Sequence, residues 1–575
     1  MGKMQYQQVD ETDVCVNAAI DEDFQNYLID YLLDGAEFLQ KYPSACLEPV
    51  GYNQAILYFY QPGPFTGEKE DIDYNKVPRL YGLMDSRELE ETGVLRVRRS
   101  PQLGLRGQGT LIGIIDTGIT LTSKQFRYED GGTKVVSMWD QSDQTGERPV
   151  KYSYGREWSR TAIDEALAND PQTLPKDENG HGTFLAAVAA GREDEEAGFS
   201  GVAPDSELVV VKLKRPKQYL LDFYSIRDDV WACQEDDVML AIRYILDVST
   251  ALQRPVSICL GIGTNLGGHS GNGSLERYLS QNSLLPGISF HIASGNEGIS
   301  GHHFQGKVPG GNEYETVEFN VAEGEAGFIM ELWGNAPVTF SVGMISPGGE
   351  KVERIQLKLN EFRSIRFFPE NTVLQIRSFV GETVGGEQVI RMNFRSPAAG
   401  LWRLLVYAQG NGDRTYNLWM PITNFLKEET FFVNPQAADT LTSPGDAFYG
   451  ITYVPYDVET DSLYIRASQG YTRDNRVKPD LAAPGVNVHI PSPVGENRGE
   501  ISRSGSSVAA AFGVGIGALM QEWAIVKENN LSLNGQNMRF YLIQGASRTG
   551  AYAYPNREWG YGIVNLYDAF LSMRQ

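Results

Sequence analysis

Short apolar runs alternate with helix-like stretches between residues 86 and 304, and this alternation constrains the fold more than any other feature. The apolar runs are 110–115, 207–213, 256–260 and 288–293, and a helical pattern covers 236–252. Apolar runs of this kind are typical of strands buried on both faces, so they predict a parallel α/β sheet flanked by helices. Functional groups in such sheets gather beyond the carboxyl ends of the strands. Asp116 and Asn296 follow two of the runs, and we expect both side chains at that edge.

Residues 305–434 differ in pattern from the rest of the chain. Short runs in which apolar and polar residues alternate are separated by turn residues, at 316–321, 328–332, 338–342, 355–359, 389–394 and 402–407. No helical stretch lies between them, so they predict an inserted all-β sandwich or jelly roll. Two roles are open for it, stabilising the fold or binding a substrate protein, and we favour stabilisation. The α/β pattern resumes over 435–575 and includes a long helix from Ser507 to about residue 527.

Residues 1–85 read as a separate small α+β unit. Apolar residues over 21–40 approximate a helical period, which predicts a helix there. The run 55–60 predicts a strand, and the glycines, prolines and charges that follow it predict a loop up to residue 73.

The composition excludes several classes of partner and targeting signal. A net charge of −23 argues against nucleic acid or an anionic membrane as the main partner. No run of eighteen apolar residues predicts a membrane span, and the N-terminus has no apolar region typical of a Sec signal peptide. The four cysteines lie far apart and form no CxxC pair, which fits a reducing cytoplasm at synthesis. A later destination such as a spore compartment stays open.

Three short segments each place one reactive residue beside glycine. Leu111 to Gly118 ends in Asp-Thr-Gly and carries Asp116, Asn179-Gly-His-Gly-Thr183 carries His181, and Ser504 to Ala510 carries Ser507. Each alone has a plain structural explanation, as a strand-end carboxylate, a turn histidine or an N-cap serine. Together they offer a carboxylate to orient an imidazole, an imidazole to take a proton and a hydroxyl to attack a carbonyl.

A fourth segment supplies a hydrogen-bond donor. Ala293-Ser-Gly-Asn-Glu-Gly298 follows an apolar strand and contains Asn296. Acyl transfer requires donors aimed at a developing oxyanion, and a side-chain amide is one such donor. We therefore predict an oxyanion hole formed by Asn296 and the backbone N–H of Ser507. Seen alone, Asn296 would be a turn residue.

These segments, in the order Asp, His, Ser, resemble the signature segments of the subtilase family. The resemblance implies a subtilisin-like fold and peptide-bond hydrolysis of a protein or peptide substrate through an acyl-enzyme. It implies Asp116, His181 and Ser507 as catalytic residues, and it implies substrate-binding residues in two short segments, namely Cys259, Leu260 and Gly261, and Ala293, Ser294 and Gly295.

The chain departs from the family pattern around the nucleophile and in the substrate strand. Ser506 stands where Thr is usual and Val508 where Met is usual, while Ala511 and Phe512 stand where Pro and His are common. Cys259 replaces a familiar Ser, and we interpret it as a buried strand residue rather than a second nucleophile. These departures bear on substrate preference and leave the expected chemistry intact.

Within the subtilases, the chain resembles the clostridial Csp germination proteases. The resemblance is carried by the β-rich insertion, the segment 263–271 and the pair His302-His303. It implies a protease that processes the precursor of another enzyme, and a prodomain over 1–85 that is cleaved within 81–86 and retained in the cleft. One branch of that group lacks the catalytic residues, whereas this chain has all three. The alternative function is a non-catalytic scaffold or germination sensor with a protease fold.

We expect neither a cofactor nor a metal. His302 and His303 are adjacent and would point to opposite faces of an extended chain, and no Cys or carboxylate cluster completes a ligand set. The acidic pairs 228–229 and 236–237 lack the spacing of a calcium loop, and we interpret them as solvated loops.

Overall fold

The structure is a computed structural model, and it describes residues 17–30, 45–51, 54–61, 76–83, 92–310, 313–356, 358–381, 386–493 and 499–573. The strands are β1 (Phe24–Asp30), β2 (Ala45–Pro49), β3 (Gln54–Tyr60), β4 (Leu80–Leu83), β5 (Leu111–Asp116), β6 (Val135–Asp140), β7 (Arg156–Ser159), β8 (Glu207–Lys212), β9 (Cys233–Gln234), β10 (Val256–Leu260), β11 (Ile262–Gly263), β12 (Ile288–Ala293), β13 (His303–Lys307), β14 (Tyr314–Val321), β15 (Gly327–Gly334), β16 (Thr339–Ile345), β17 (Lys351–Ile355), β18 (Phe362–Phe367), β19 (Thr372–Val380), β20 (Gln388–Arg395), β21 (Gly400–Gln409), β22 (Thr415–Trp419), β23 (Phe431–Phe432), β24 (Ile451–Asp457), β25 (Ser462–Leu463), β26 (Leu481–Pro484), β27 (Val488–Pro491) and β28 (Glu500–Arg503).

The α-helices are α1 (Val94–Arg98), α2 (Arg160–Asn169), α3 (His181–Ala190), α4 (Gln218–Tyr224), α5 (Glu235–Leu252), α6 (Ser274–Asn282), α7 (Ser506–Gln521), α8 (Gly535–Gln544) and α9 (Leu566–Ser572). Short 3-10 turns lie at Lys124–Phe126, Pro171–Thr173 and Thr423–Phe425, and a π turn at Glu522–Val526 extends α7.

A central, mostly parallel sheet confirms the predicted α/β class. Its strand order is β25-β24-β12-β10-β5-β8-β6-β7, with β26 beside β24, and only the outer pairs β6/β7 and β24/β25 are antiparallel. Helices cover both faces. Ile112 and Ile114 of β5 pack in the layer that contains α3 and α7, whereas Leu111 and Ile115 pack with α5 and α6.

Helix α7 passes through the centre of the molecule because its small residues permit close contacts. A Cβ added to Gly513 would lie 2.3 Å from Tyr453, and one added to Gly517 would lie 2.3 Å from His291. Together with its π turn, α7 is apolar and long enough to cross a membrane, but 89% of its most apolar window is buried inside the structure.

The inserted region is a sandwich of two antiparallel sheets, as its alternating pattern predicted. One sheet has the order β13-β22-β15-β20-β19-β18 and the other β17-β16-β21-β14-β23. Their inner faces form one aromatic-rich core that includes Phe319, Phe328, Phe394 and Trp402.

The predicted N-terminal helix is wrong over residues 24–30, which form strand β1, and residues 31–40 lie outside the described residues. Strand β1 pairs along its whole length with β3, and β3 pairs with β2. Apolar residues at 24 and 28 fit the period of a helix and that of a strand equally well. Pairing with the distant strand β3 therefore determines that residues 24–30 form a strand. Cys46 of β2 is disulfide-bonded, whereas Cys233 and Cys259 are free and buried.

Polar contacts join the N-terminal residues to Lys217, directly before α4, and to Asp236 at the start of α5. The Lys217 Nζ donates to the carbonyls of Ala18 and Phe24, at 2.6 and 2.9 Å, and to Asn26 Oδ1 at 2.7 Å. The Asn26 amide in turn donates to Asp236. The buried carboxylates 236 and 237 therefore contradict the interpretation of that acidic pair as a solvated loop.

Strand β4 lies between two short strands from later in the chain, β9 and β11. It runs antiparallel to β11, with Leu83 opposite Ile262, and antiparallel to β9, with Tyr81 opposite Cys233. It is therefore the central strand of a three-stranded sheet next to the carboxyl end of β10.

Candidate active site

The three glycine-flanked segments bring Asp116, His181 and Ser507 together. Asp116 is the last residue of β5, His181 the first of α3 and Ser507 the second of α7. The Nδ1 of His181 lies 2.8 and 2.9 Å from the two Asp116 carboxylate oxygens, and its Nε2 lies 3.1 Å from Ser507 Oγ. All three side chains are buried. Because the carboxylate can only accept, it fixes the tautomer with hydrogen on Nδ1 and leaves Nε2 to accept from the serine hydroxyl.

Asp177, which the sequence analysis missed, holds the segments of Asp116 and His181 together. Its Oδ1 accepts from Thr117 Oγ1 at 2.7 Å and from the Gly180 N–H at 2.8 Å. Its Oδ2 accepts from the N–H and the hydroxyl of Thr183, at 2.9 and 2.6 Å. An aspartate just ahead of a helix start is a capping signal, and that signal could have identified this residue.

Two glycines allow the close approach of these segments. A Cβ on Gly182 would lie 2.2 Å from the carbonyl oxygen of Gly118. A Cβ on Gly261 would lie 2.6 Å from Leu185 Cδ1 and 3.0 Å from Ser507 Cβ. A side chain at either position would therefore push the elements of the site apart.

Asn296 lies beside the N-terminus of α7, as predicted for an oxyanion donor. Its Oδ1 accepts from the Ser506 N–H at 3.0 Å, which orients the side chain and leaves its Nδ2 without a partner among the described residues. Ser506 Oγ accepts from the Gly295 N–H at 3.0 Å and joins the same loop to the helix. The Ser507 N–H belongs to the first turn of α7, where backbone donors have no intrahelical acceptor and the helix dipole is positive. The Asn296 side chain and the Ser507 N–H thus both lie at the N-terminal end of α7.

The predicted substrate strand lies at the end of β10. Cys259 and Leu260 are its last residues, Gly261 follows, and β11 pairs with β4 immediately after it. Burial raises the pKa of the Cys259 thiol well above its usual range, so the thiolate of a second nucleophile is disfavoured.

The other predicted substrate-binding segment is largely paired with protein. Ala293 ends β12, the Ser294 N–H donates to Tyr453 O at 3.1 Å, and the Gly295 carbonyl accepts from the Ser468 N–H at 3.0 Å. Ser294 and Gly295 would therefore contact a substrate as a wall rather than through free backbone groups.

The adjacent histidines have separate protein partners. His302 Nδ1 lies 2.8 Å from Glu297 Oε2, and His303 Nε2 lies 2.9 Å from Asn417 Oδ1. Within the described ranges, no group of three or more His, Cys, Asp or Glu residues is placed to hold a metal ion. Glu297 lies in the segment that carries Asn296, but no role was predicted for it from the sequence.

Comparisons with known proteins identify the family of this chain. A subtilase family model matches residues 107–320 and 375–562, which is more than half of the chain. The PII-type proteinase of Lacticaseibacillus paracasei is 23% identical over 485 residues, which is 76% of this chain but 23% of that proteinase. The subtilisin-like protease SBT1.3 of Arabidopsis thaliana is 28% identical over 254 residues, 38% of this chain and 30% of that protease. The chain thus spans about a quarter of the length of the bacterial proteinases it matches.

A likeness among solved structures extends over most of both chains. The structure of the Clostridium perfringens CspB protease matches with a TM-score of 0.73 at 28% identity, covering 83% of this chain and 95% of that one. With the family match over more than half of its length, the chain belongs to the subtilase family of serine peptidases and resembles the Csp proteases within it.

Proposed function

We propose that this chain is a serine endopeptidase that hydrolyses peptide bonds through an acyl-enzyme on Ser507. The observation that carries the proposal is the continuous chain of contacts from Asp116 through His181 to Ser507 Oγ, at 2.8 and 3.1 Å. Family membership alone would not distinguish an active peptidase from an inactive relative, whereas this geometry supplies each group that the reaction requires.

The proposed mechanism assigns one role to each group. The His181 Nε2 takes the Ser507 proton as the hydroxyl oxygen attacks the scissile carbonyl, and Asp116 stabilises the imidazolium that forms. The Asn296 amide and the Ser507 N–H donate to the oxyanion, aided by the positive end of α7. His181 then protonates the leaving amine, and in the second half of the reaction it deprotonates the water that releases the acyl group.

We further propose that the chain cleaves itself within 81–86 and retains residues 1–85 as a prodomain in the cleft. Support comes from β4, which adds antiparallel to β11 directly after the proposed substrate residue Gly261. An extended peptide can bind an exposed sheet edge by adding a strand in this way. Residues 84–86 of the predicted cleavage window lie outside the described residues.

Labelling with a fluorophosphonate probe tests the peptidase mechanism. Wild type should be labelled and Ser507→Ala should not. Ser504→Ala is the matched control, because this serine lies two residues before α7 and its Oγ only accepts a hydrogen bond from the Asn487 N–H, at 3.3 Å, among the described residues. Equal labelling of wild type and Ser507→Ala would refute the catalytic assignment. Intact mass measures self-processing, and we expect two fragments for wild type and one uncut species for Ser507→Ala.

Two observations favour the alternative of a non-catalytic scaffold or sensor. His181 and Ser507 are fully buried, and β4 already occupies the position next to the substrate strand. A wild-type chain that stays uncut, resists the probe and cleaves no peptide in a library would support that alternative.

We also propose, from the resemblance to the Csp germination proteases, limited proteolysis of another protein in a spore-associated setting after synthesis in the cytoplasm. A peptide library cleaved by the purified chain would define the preferred sequence. Single cleavage of a folded protein carrying that sequence would support limited proteolysis, and degradation to small peptides would contradict it.

A further inference from the structure

Glu297 directly follows the oxyanion residue Asn296, and its carboxylate is buried, with the residue only 3% exposed. One carboxylate oxygen lies 2.8 Å from His302 Nδ1. The other accepts from the N–H and the hydroxyl of Thr423, at 3.0 and 2.9 Å. The Glu297 N–H donates to Ser468 Oγ at 2.9 Å. Both carboxylate oxygens of Glu297 thus have hydrogen-bond partners in the protein, and its backbone N–H has a third partner, Ser468.

The partners of this carboxylate belong to the inserted sandwich. His302 is the residue immediately before β13, the first sandwich strand, and Thr423 opens the 3-10 turn that follows β22. Strands β13 and β22 pair with each other, with His303 opposite Trp419. Glu297 therefore joins the oxyanion loop to two neighbouring segments at the base of the sandwich.

Direct contact with a substrate charge is the competing role for this carboxylate. Its burial and its protein donors argue against that role, because a substrate side chain would have to displace them. Burial opposes ionisation of Glu297, but the hydrogen bonds from His302 and Thr423 outweigh it and hold the pKa of the carboxyl below its usual range. An ionised carboxylate with several donors is held more firmly than a neutral group in the same place.

We propose that Glu297 is a positioning residue that fixes the Asn296 loop to the inserted sandwich, so that the sandwich sets the geometry of the oxyanion hole. This inference rests on the proposed function, because it concerns the donor that would stabilise the oxyanion. The Asn296 donor acts on charge that develops in the transition state, so loosening its loop lowers kcat and leaves KM nearly unchanged.

Glu297→Gln is the test variant, because it keeps the shape of the side chain and removes its charge. Glu325→Gln is the matched control. Glu325 is also a buried glutamate of the sandwich region, and its Oε2 accepts from the Lys427 N–H at 2.9 Å and from the Thr430 hydroxyl at 3.0 Å. It therefore reproduces the backbone and hydroxyl contacts of Glu297 without touching the oxyanion loop.

Activity would be measured on the full chain with a fluorogenic peptide selected from the library, and normalised to sites titrated with the fluorophosphonate. We expect Glu297→Gln to lower kcat about tenfold, the effect of one weakened charge-assisted hydrogen bond. Glu325→Gln should reduce thermal stability and leave kcat per titrated site within about twofold of wild type.

A double-mutant cycle with Asn296→Ala separates positioning from general damage to the fold. If Glu297 acts through Asn296, Glu297→Gln should change kcat less than about twofold in the Asn296→Ala background. Additive losses would overturn the inference, as would equal kcat values for the Glu297 and Glu325 variants.

Thr423→Val provides a second route if Glu297→Gln does not fold. It removes the hydroxyl donor and keeps the backbone N–H, so we expect a kcat loss of about threefold that also disappears in the Asn296→Ala background. A Thr423→Val enzyme with wild-type kcat would overturn the inference. The proposed function fails separately, by equal labelling of wild type and Ser507→Ala.

Discussion

Replacing Asp177 with Asn should reduce turnover although Asp177 touches neither the nucleophile nor the substrate strand. Its carboxylate accepts four hydrogen bonds, two on each oxygen. They join Thr117, which follows Asp116 in the chain, to Thr183, two residues after His181. An amide keeps one acceptor oxygen and turns an NH2 group toward the donors that faced the other. Asp177→Asn therefore loosens the contact between the start of α3 and the end of β5.

The magnitude follows from two lost acceptor contacts. Each net hydrogen bond contributes about 1 kcal/mol, and bonds to a charged group contribute more, whereas the partial exposure of Asp177 lets water replace some of the loss. We therefore expect a decrease of about 2 kcal/mol in the free energy of unfolding. A shift of His181 by a fraction of an ångström relative to Ser507 should also lower kcat about tenfold.

The assay is steady-state kinetics per titrated site combined with thermal unfolding. KM should stay within about twofold of wild type, because the residue lies away from the predicted substrate segments. Asn534→Ala is the matched control, since Asn534 caps α8 by accepting from the Asn537 N–H at 2.9 Å. It should cost about 1 kcal/mol and leave kcat unchanged. A destabilised Asp177→Asn enzyme with wild-type kcat would refute the reasoning.

Three further predictions concern donors, packing and pH. Asn296→Ala should lower kcat by about 10²–10³, the range measured for this type of donor in subtilisin, with little change in KM; a loss under about threefold would remove Asn296 from the oxyanion hole. Gly261→Ala should lower kcat at least tenfold and destabilise the fold by about 1–3 kcal/mol, because the new Cβ would lie 2.6 Å from Leu185 and 3.0 Å from Ser507. Steady-state kinetics measures the loss of kcat, and the melting temperature measures the loss of stability. Burial raises the pKa of Glu331 from 4.5 to about 7, so the folded state favours the protonated form of this carboxyl. The stability of wild type should therefore fall relative to that of Glu331→Gln as the pH rises from 4.5 to 7. The difference in unfolding free energy should widen by on the order of 3 kcal/mol across that window, and denaturant unfolding that shows a constant difference would contradict the assignment.

The central sheet and the proximity of Asp116, His181 and Ser507 could be predicted because their signals are local. The buried strands are continuous apolar runs, and Asp116 ends one of them. The glycines beside His181 and Ser507 mark the starts of two helices. The carboxyl ends of parallel strands lie at one edge of the sheet, so assigning a few strands was enough to predict the edge at which the candidate site lies.

The errors arose where distant partners decide the structure. Residues 24–30 became a strand through pairing with β3, about thirty residues away, which no local period records. Asp237 was interpreted as solvated, but its carboxylate pairs with Lys214 at 2.6 Å and accepts from the Tyr154 hydroxyl at 2.6 Å. The segment that carries Asn296 includes Glu297, but its contact with Thr423, 126 residues further along the chain, could not be predicted from the sequence. The domain boundaries near 85, 304 and 434 stay predictions.

The position of the insertion follows from the order of the central sheet. Strands β12 and β24 are parallel neighbours, with His291 opposite Ile451, so the chain between them has to leave from the carboxyl edge and return to the opposite edge. A domain inserted directly after β12 therefore begins at the loop that carries Asn296, on the same edge as Asp116. Because β5, β10 and β12 are adjacent in the sheet, this edge also holds the proposed substrate strand. An insertion that begins directly after β12 thus extends the loop that carries Asn296, and the Glu297 carboxylate joins that loop to His302 and Thr423 at the base of the sandwich.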